Sequence, residues 1–204
     1  MVAPSFESFS PTTLADVLPR AQVLRHDIRP LWNSPRIAGP AFTVRLPPGD
    51  NLMLHVAMYE APPGSVVVVQ SGDVSFAAIG GNVARIAKER GIAGLVLDGV
   101  VRDIAEIRAL GFPVFARGIV PFPGTKTRRG ALNERVVCGD VTVDAGDVVV
   151  ADEEGIVVVP TSRCQEFFRA ALVRQHKENT EDYEEWKLNH RARLQDAYYS
   201  HIEQ

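Results

Sequence analysis

Glycines and polar residues that could bind a small anion gather between residues 79 and 118, beside the joints of predicted helices and strands. The segment Gly80-Gly81-Asn82-Val83 opens a predicted helix. Backbone N–H groups at a helix start can bind a carboxylate or a phosphate when no side chain blocks the approach. The alternative is that the two glycines only let the helix begin close to a neighbouring strand. On sequence alone, that alternative is slightly favoured.

A carboxylate and a guanidinium follow the next predicted strand, in the segment 98–103 (DGVVRD). The carboxyl end of a strand is where α/β proteins tend to place ligands. Arg102 could bind a carboxylate through two hydrogen bonds, and Asp103 could offer a hard oxygen ligand to Mg²⁺. Local rules offer another explanation, because Asp103 and Glu106 have the spacing of a helix-capping pair and Asp98 is typical of a turn. By spacing alone capping is preferred for Asp103, and the role of Arg102 stays open.

The other residues with chemical potential show no such arrangement. The five histidines lack the spacing of metal ligands, and His55 is predicted to be a satisfied core residue. The segment Gly124-Thr125-Lys126-Thr127 is rejected as a phosphate-binding loop, because its Gly–Lys spacing and its context are wrong. Cys138 and Cys164 are predicted to be free thiols in a reducing compartment. The sequence contains no nucleophile elbow, zinc-protease motif or dinucleotide-binding glycine motif.

The elements that would hold these residues follow from the apolar periodicity. The predicted strands cover residues 37–46, 66–69, 93–97 and 113–116, and the predicted helices cover 50–60, 79–90 and 104–110. The helix 79–90 would carry its apolar face on Ile79, Val83 and Ile86. From residue 131 onward, short valine-rich strands and Gly-Asp turns indicate β-hairpins and a meander. A last helix, capped by Thr161, is predicted from Arg163 to the end of the chain.

The predicted architecture is therefore α/β, with one domain over residues 1–174 and a charged helical tail over 175–204. We expect the tail to pack on a neighbouring subunit; a partly frayed surface helix is an equally good alternative. With 204 residues, 46% hydrophobic and 23% charged, the composition is that of a globular protein. A net charge of −3 gives no reason to expect a nucleic-acid partner. No leader or membrane-spanning run is visible, so a cytoplasmic location is expected.

Three stretches taken together resemble the RraA-like family. They are PPGDNLMLHVAMYEAPPGSVVVV, the segment from Gly80 to Gly118, and ADEEGIVVVP. The resemblance covers approximately residues 13–173 and is most specific from Gly80 to Asp103. It implies a swivelling β/β/α fold, a homotrimer that some members pair into a hexamer, and sites at the subunit interfaces.

The resemblance also implies a chemistry. The family includes class II pyruvate aldolases that use Mg²⁺ or Mn²⁺ to cleave 4-hydroxy-4-methyl-2-oxoglutarate and related acids. These enzymes also decarboxylate oxaloacetate, because both reactions pass through a pyruvate enolate. By matching position, the backbone amides of Gly80-Gly81-Asn82-Val83 would bind the pyruvate carboxylate. Arg102 would bind the substrate and stabilise the enolate, and Asp103 would ligate the metal.

One position departs from the aldolase pattern. Characterised aldolases of the family tend to carry an acidic residue at the position of Gly81, where it holds a metal-bound water. Asp152, Glu153 or an acidic residue from a neighbour's tail are candidates to replace it, and an altered specificity is another possibility. The alternative function is a non-catalytic regulator that binds and inhibits an RNA-degrading endonuclease. Such members lose the aspartate of the Arg-Asp pair, and Arg102-Asp103 is intact here, which favours the enzyme.

Overall fold

A computed structural model describes residues 4–33 and 36–200 as a mixed sheet with helices and a second β layer packed against it. The strands are β1 (Arg29–Pro30), β2 (Ile37–Arg45), β3 (Val66–Gln70), β4 (Gly94–Val101), β5 (Val114–Ile119), β6 (Ala131–Leu132), β7 (Val136–Cys138), β8 (Val141–Val143), β9 (Val148–Asp152) and β10 (Gly155–Val159). The α-helices are α1 (Pro11–Ala15), α2 (Leu52–Glu60), α3 (Gly81–Glu89), α4 (Ile104–Leu110), α5 (Cys164–Thr180) and α6 (Tyr183–Ser200). Single 3-10 turns lie at Arg20–Gln22 and Thr161–Arg163.

The centre of the sheet consists of four parallel strands, β2 to β5, in the order β5-β4-β3-β2. Val66 to Val69 of β3 are buried on both faces, as their continuous apolar run predicted. Strand β2 has two partners, because residues 37–40 pair with β9 and residues 41–45 pair with β3. The carboxyl ends of the parallel strands therefore meet at one edge of the sheet, where the polar segments after β3 and β4 come together.

Three layers enclose the sheet. Helices α2, α3 and α4 pack on one face around one apolar cluster, and the β7–β8 ribbon and the β9–β10 hairpin contribute to a second cluster on the other face. Helices α1 and α5 cover the outer side of β9 and β10 in a third cluster. The predicted α/β class with β/β/α layering is confirmed. The short strands predicted after residue 131 are confirmed, but they form two separate hairpins, β7–β8 and β9–β10, and not a continuous meander.

The buried face of α3 differs from the prediction. Ala84 and Ala87 pack in the core and Gly81 is buried, whereas Val83 and Ile86 are only partly buried and Ile79 precedes the helix. Small residues on the inner face let α3 lie close to the sheet and to α4. The apolar periodicity predicted the position of the helix correctly. The face that is buried, however, is the one with the smallest side chains and not the one with the most hydrophobic side chains.

Asp98 was predicted to be a turn residue, but it lies inside β4, which continues through it to Val101. Its Cα is paired with that of Gln70 in β3. The Asp98 carboxylate accepts a hydrogen bond from the Gly139 N–H at 3.2 Å and lies 3.4 Å from Arg25 and 3.5 Å from Arg117. Two guanidiniums on the sheet surface thus allow a carboxylate within a strand.

The single terminal helix predicted from Arg163 is also wrong, because the chain forms two helices, α5 and α6. Glu181 adopts an extended backbone (ψ 121°) between them, and the Asp182 carboxylate accepts the N–H of Glu184 at 2.9 Å at the start of α6. Thr161 does not cap the helix; its hydroxyl donates to the carbonyl of Gly146 at 2.6 Å.

Helix α5 is tied to the body of the protein along most of its length. Phe167 and Ala171 are buried in the third cluster, Arg174 pairs with Asp16 at 2.6 Å, and the hydroxyl of Thr13 donates to Glu178 at 2.9 Å. Helix α6, in contrast, exposes large apolar side chains. They are Tyr183, Trp186, Leu188, Leu194, Tyr198 and Tyr199. Within residues 4–33 and 36–200, no helix combines the length and apolar character needed to cross a bilayer.

Candidate active site

A small polar cleft lies at the carboxyl edge of the parallel strands, between the starts of α2, α3 and α4. It brings together five of the six predicted site residues, namely Gly80, Asn82, Val83, Arg102 and Asp103. Gly81 lies directly beside them, at the first position of α3. The remaining lining residues are Asn51, His55, Ala77, Ile79, Pro123 and Lys126.

Asp103 does not cap its own helix, contrary to the local prediction. Its backbone is left-handed (φ 56°, ψ 39°), and its side chain makes no capping hydrogen bond to α4. Instead its Oδ2 accepts the N–H of Gly81, at the start of α3, at 3.1 Å. A left-handed non-glycine residue is costly, and such conformations cluster at functional sites. The carboxylate is thereby turned away from α4 and towards the cleft.

Gly80 is required by the close approach of the two predicted site side chains. A Cβ atom added there would lie 2.5 Å from Asp103 Oδ2 and 3.0 Å from Arg102 Nε. Gly80 therefore does more than let α3 begin near a strand, because any larger residue would push the Arg-Asp pair out of place.

The start of α3 leaves backbone donors free. The Ala84 N–H bonds to the carbonyl of Gly80, as in a regular first turn, and the Gly81 N–H is taken by Asp103. Among the described residues, the N–H groups of Asn82 and Val83 have no recorded acceptor. Two free N–H groups at the positive end of a helix are suited to a carboxylate.

Arg102 is held by its backbone and leaves its guanidinium largely available. Its N–H donates to the carbonyl of Ile79 at 2.9 Å, which fixes β4 against the loop before α3. The Nε atom lies 3.6 Å from Asp103 Oδ2, and 42% of the Arg102 side chain is exposed. An exposed pair at that distance is weak, so most of the guanidinium donors remain free to bind a ligand.

Asn51 is a site residue that the sequence analysis missed. It is only 4% exposed, and its Nδ2 donates to the carbonyl of Ala77 at 3.3 Å. Its Oδ1 is buried without a hydrogen-bond partner. A buried unpaired oxygen is costly, and it points to a ligand that supplies a donor or a positive charge.

His55 is not the satisfied core residue that was predicted. It is half-buried, lines the cleft, and among the described residues its imidazole has no recorded hydrogen bond. Burial, reinforced by the charges of Lys126 and Arg102, lowers the pKa of His55 to about 4. The imidazole is therefore neutral at neutral pH. The four-residue spacing of Asn51 and His55 was the available signal, since it places both at one side of the start of α2.

Lys126 comes from the segment that was rejected as a phosphate loop. That rejection stands, because the segment does not connect a strand to a helix. The loop is instead fastened by the buried carboxylate of Asp50, which accepts the N–H of Thr127 at 2.7 Å and that of Arg128 at 3.1 Å. Lys126 could not be assigned to the cleft from the sequence, because the contact of Asp50 with Thr127 that positions its loop joins residues 77 positions apart.

The side-chain oxygen atoms that line the cleft suit a divalent cation of the Mg²⁺ type, although they are few. Within the described parts of the chain, no three His, Cys, Asp or Glu side chains are grouped as a metal site. Asp103 nevertheless has one oxygen, Oδ1, with no recorded partner, and the unpaired Asn51 oxygen lines the same cleft. One carboxylate, an amide oxygen and waters form a normal environment for Mg²⁺.

Asp152 and Glu153, suggested as replacements for an acid at position 81, do not lie in this cleft. They line a separate surface depression, where Asp152 pairs with Arg36 at 3.2 Å. Asp152 is the last residue of β9 and Glu153 follows it. Strand β9 pairs with the first half of β2, whereas the cleft lies beyond the last half of β2. Within one protomer they therefore cannot replace that acid.

The fold and the cleft define an α/β protein with a small polar site at the carboxyl edge of its parallel strands. Residues 11–158 match the sequence model of the RraA-like family, described as Aldolase/RraA, and the chain belongs to that family. It is 39% identical to a Halalkalibacterium halodurans protein named "Putative 4-hydroxy-4-methyl-2-oxoglutarate aldolase", over 171 residues covering 83% of this chain and 81% of the relative.

Two solved structures have the same fold. One is described as the RNA-processing inhibitor RraA from Thermus thermophilis, with 30% identity and a TM-score of 0.69 over 75% of this chain and 93% of that one. The other is RraAS2 of Streptomyces coelicolor, described as an unusual member of the RNase ES inhibitor RraA family. It is 30% identical with a TM-score of 0.73, and the match covers 92% of this chain and 94% of that one. The resemblance read from the sequence is confirmed.

Proposed function

We propose that this protein is a divalent-metal-dependent pyruvate aldolase that cleaves a 4-hydroxy-2-oxo acid of the 4-hydroxy-4-methyl-2-oxoglutarate type. The same site would decarboxylate oxaloacetate. The observation that carries the proposal is the Asp103 carboxylate, which is turned from its own helix to the Gly81 N–H beside Arg102. A residue that only capped α4 would have no reason to adopt this conformation. The named aldolase relative supports the same reaction class.

Each of these residues of the cleft would have a separate role in a retro-aldol reaction. The free N–H groups of Asn82 and Val83 would bind the carboxylate next to the 2-oxo group. Arg102 would donate to the 2-oxo oxygen and stabilise the negative charge that develops there as the C3–C4 bond breaks. Asp103 and the Asn51 oxygen would hold Mg²⁺ or Mn²⁺, whose Lewis acidity would assist at that oxygen. A water would take the C4 hydroxyl proton, and C3 of the enolate would gain a proton to give pyruvate.

Lys126 would set the preference for a diacid. It lies in the cleft with the neutral His55, and it is a second positive group besides Arg102. A 2-oxo acid with a second carboxylate would place that group towards Lys126. We further propose a homo-oligomer, a trimer by analogy with the family, in which α6 contacts a neighbouring copy.

The test is pyruvate release from oxaloacetate and from 4-hydroxy-4-methyl-2-oxoglutarate, with Mg²⁺ or Mn²⁺ and with a chelator. Asp103→Asn is expected to lower kcat/KM at least ~100-fold with the fold retained, the usual scale for losing a group that organises transition-state charge. Asp152→Asn, in the other depression, is the matched control and should keep full activity. Release no faster than with the metal alone, or an active Asp103→Asn variant, would refute the proposal.

One similar structure is described as an RNA-processing inhibitor and the other as an unusual member of an RNase ES inhibitor family, and these descriptions suggest a second candidate function. A chain that released no pyruvate but inhibited an RNA-degrading endonuclease would be a regulator. The intact Arg102-Asp103 pair and its contact with α3 favour the enzyme, because a regulator would not need this arrangement.

A further inference from the structure

In the part of the chain that the structure describes, helices α5 and α6 line a groove that shares no residue with the active-site cleft. The backbone of Glu181 is extended between the two helices, and α6 begins at Tyr183. The groove has a volume of about 380 Å³, and charged and aromatic side chains from both helices and from Glu181 form its walls. This volume lies within the range of small-molecule sites, which combine aromatic side chains with a few polar groups that fix the orientation of the ligand.

Three aromatic rings stack along one side of α6. The ring of Trp186 lies between those of Tyr183 and His190, at centroid distances of 6.0 and 4.7 Å and interplanar angles of 18° and 11°. Both faces of the indole are therefore occupied, and Trp186 offers its edge to the groove that it lines with Tyr183. The edge of an aromatic ring carries partial positive charge and packs against the face of another ring. This wall of the groove therefore suits a planar aromatic group.

The charged side chains of the groove divide into a paired set and an unpaired set. Arg174 and Glu178 form an ion pair at 3.1 Å. Among the described residues, neither the Lys177 ammonium nor the half-buried Glu181 carboxylate has a recorded hydrogen bond or ion pair. The Arg193 guanidinium donates only to a backbone carbonyl of its own helix, at 3.3 Å. Unpaired charges of both signs thus face the groove.

We propose that the α5–α6 groove binds a zwitterionic aromatic amino acid. Its ring would pack against the edge of Trp186, its carboxylate would bind Lys177 and Arg193, and its ammonium would bind Glu181. An aromatic anion would leave Glu181 without a partner, and an aromatic cation would face two unpaired cations. Only a ligand with both charges makes charge-assisted hydrogen bonds to all three groups.

The site is compatible with the contact proposed between α6 and a neighbouring copy. Leu188 and Tyr199 are exposed and lie eleven residues apart, which places them on the same side of α6. That side is about 140° around the helix from Tyr183. The ring stack can therefore face a ligand while Leu188 and Tyr199 contact another subunit.

Calorimetric titration of the full chain with L-phenylalanine, without metal or 2-oxo acid, tests the proposal. We expect saturable binding with a Kd below about 1 mM. Phenylpropionate lacks the ammonium and phenethylamine lacks the carboxylate, so each should bind at least about 10-fold more weakly. Cyclohexylalanine keeps both charges but lacks the aromatic ring, and it should bind about 3-fold more weakly or worse. No saturable binding of L-phenylalanine, or equal binding of phenylpropionate, would overturn the proposal.

Matched variants locate the binding on the groove. Arg193→Gln should weaken L-phenylalanine binding about 10-fold, whereas Arg191→Gln should bind like the parent, because Arg191 is exposed and lines a different depression. Glu181→Gln should weaken the binding of L-phenylalanine but not that of phenylpropionate, a difference that a general loss of structure would not produce. Asp103→Asn, in the cleft, should leave the affinity unchanged. Equal affinities of the two arginine variants, both folded by circular dichroism, or a loss of binding in Asp103→Asn, would contradict the proposal.

Discussion

The Asp50 carboxylate is the structural support of the cleft, and Asp50→Asn is the most informative perturbation of the fold. Asp50 is 4% exposed, and its carboxylate accepts five hydrogen bonds. Oδ1 accepts the Leu52 N–H at 3.0 Å, and Oδ2 accepts from the Thr125 hydroxyl at 2.7 Å and from the Thr127 N–H at 2.7 Å. The other two donors are the Thr127 hydroxyl at 3.1 Å and the Arg128 N–H at 3.1 Å. One carboxylate thus joins the start of α2, with Asn51 and His55, to the loop that carries Lys126.

The effect of Asp50→Asn on the free energy of unfolding follows from these five hydrogen bonds. The amide has one oxygen, so in its better orientation the oxygen faces the loop and its NH₂ group faces the Leu52 N–H. That donor is then left unpaired in a buried place, at a cost of about 1–3 kcal/mol. The four remaining hydrogen bonds lose their charge assistance, while the neutral amide costs less to bury. We expect a net loss of about 3 kcal/mol in the free energy of unfolding, or about 10 °C in Tm for a chain of this size.

The dependence of stability on acidic pH gives a second test of the role of the Asp50 carboxylate. Burial acts to raise the pKa of Asp50, but hydrogen bonds from Thr127, Leu52, Thr125 and Arg128 outweigh it and hold the pKa well below its ordinary value. A carboxylate with a lowered folded-state pKa contributes stability above its unfolded value of about 4, and the contribution is lost as the pH falls further. The difference between Asp50→Asn and the parent should therefore shrink below about pH 4.

The assay is urea unfolding at pH 7 and at acidic pH, with Asp144→Asn as the matched control. Asp144 also pairs through both oxygens, at 2.7 and 2.9 Å to Arg135, but the pair is exposed and solvent screens it, so its loss should change the stability far less. An Asp50→Asn variant within about 1 kcal/mol of the parent at pH 7, or a difference that persists unchanged in acid, would refute the reasoning.

Two further predictions concern the cleft histidine and the last helix. Burial, Lys126 and Arg102 lower the pKa of His55 to about 4, so the folded protein binds fewer protons than the unfolded chain between about pH 4 and 6.5. Stability is therefore lost as the pH decreases through that window. His55→Gln should show less of this loss between pH 7 and 5 in urea unfolding, and equal losses would contradict it. Truncation after Thr180 removes the exposed apolar residues of α6 and should lower the mass of the assembly by light scattering; an unchanged mass would count against packing on a neighbour.

Periodicity predicted the central elements well, because their apolar content decides their burial. The run Val66 to Val69 became a doubly buried strand, and the glycines after residues 90 and 110 ended the predicted helices. It failed where a distant group overrides the local preference. Asp98 is typical of a turn by its type, yet Arg25 and Arg117 hold it inside β4. No local rule contains a contact of that kind.

The residues of the site also differ in whether they could be predicted, because some depend on contacts between segments that are distant in the sequence. Family resemblance located Gly80 to Asp103, while the local capping rule preferred the wrong role for the Asp103 side chain. Asn51, His55 and Lys126 were missed because their common position depends on packing between α2 and the loop fastened by Asp50. Spacing along the chain cannot show that a rejected loop and a supposed core histidine face the same cleft.

The charges of the completed cleft give a reason why a metal and a diacid should bind there together. Arg102, Lys126 and Asp103 line the cleft, and the Glu106 carboxylate lies beside it, against Gly81. His55 is neutral because its pKa is lowered. A divalent cation alone or a dicarboxylate alone would add two unbalanced charges to a partly desolvated site, which is costly. Bound together they add none. We therefore expect a diacid to tighten metal binding, and a lone anion at the start of α3 to bind weakly, because the two carboxylates around Gly81 oppose it until a cation is present.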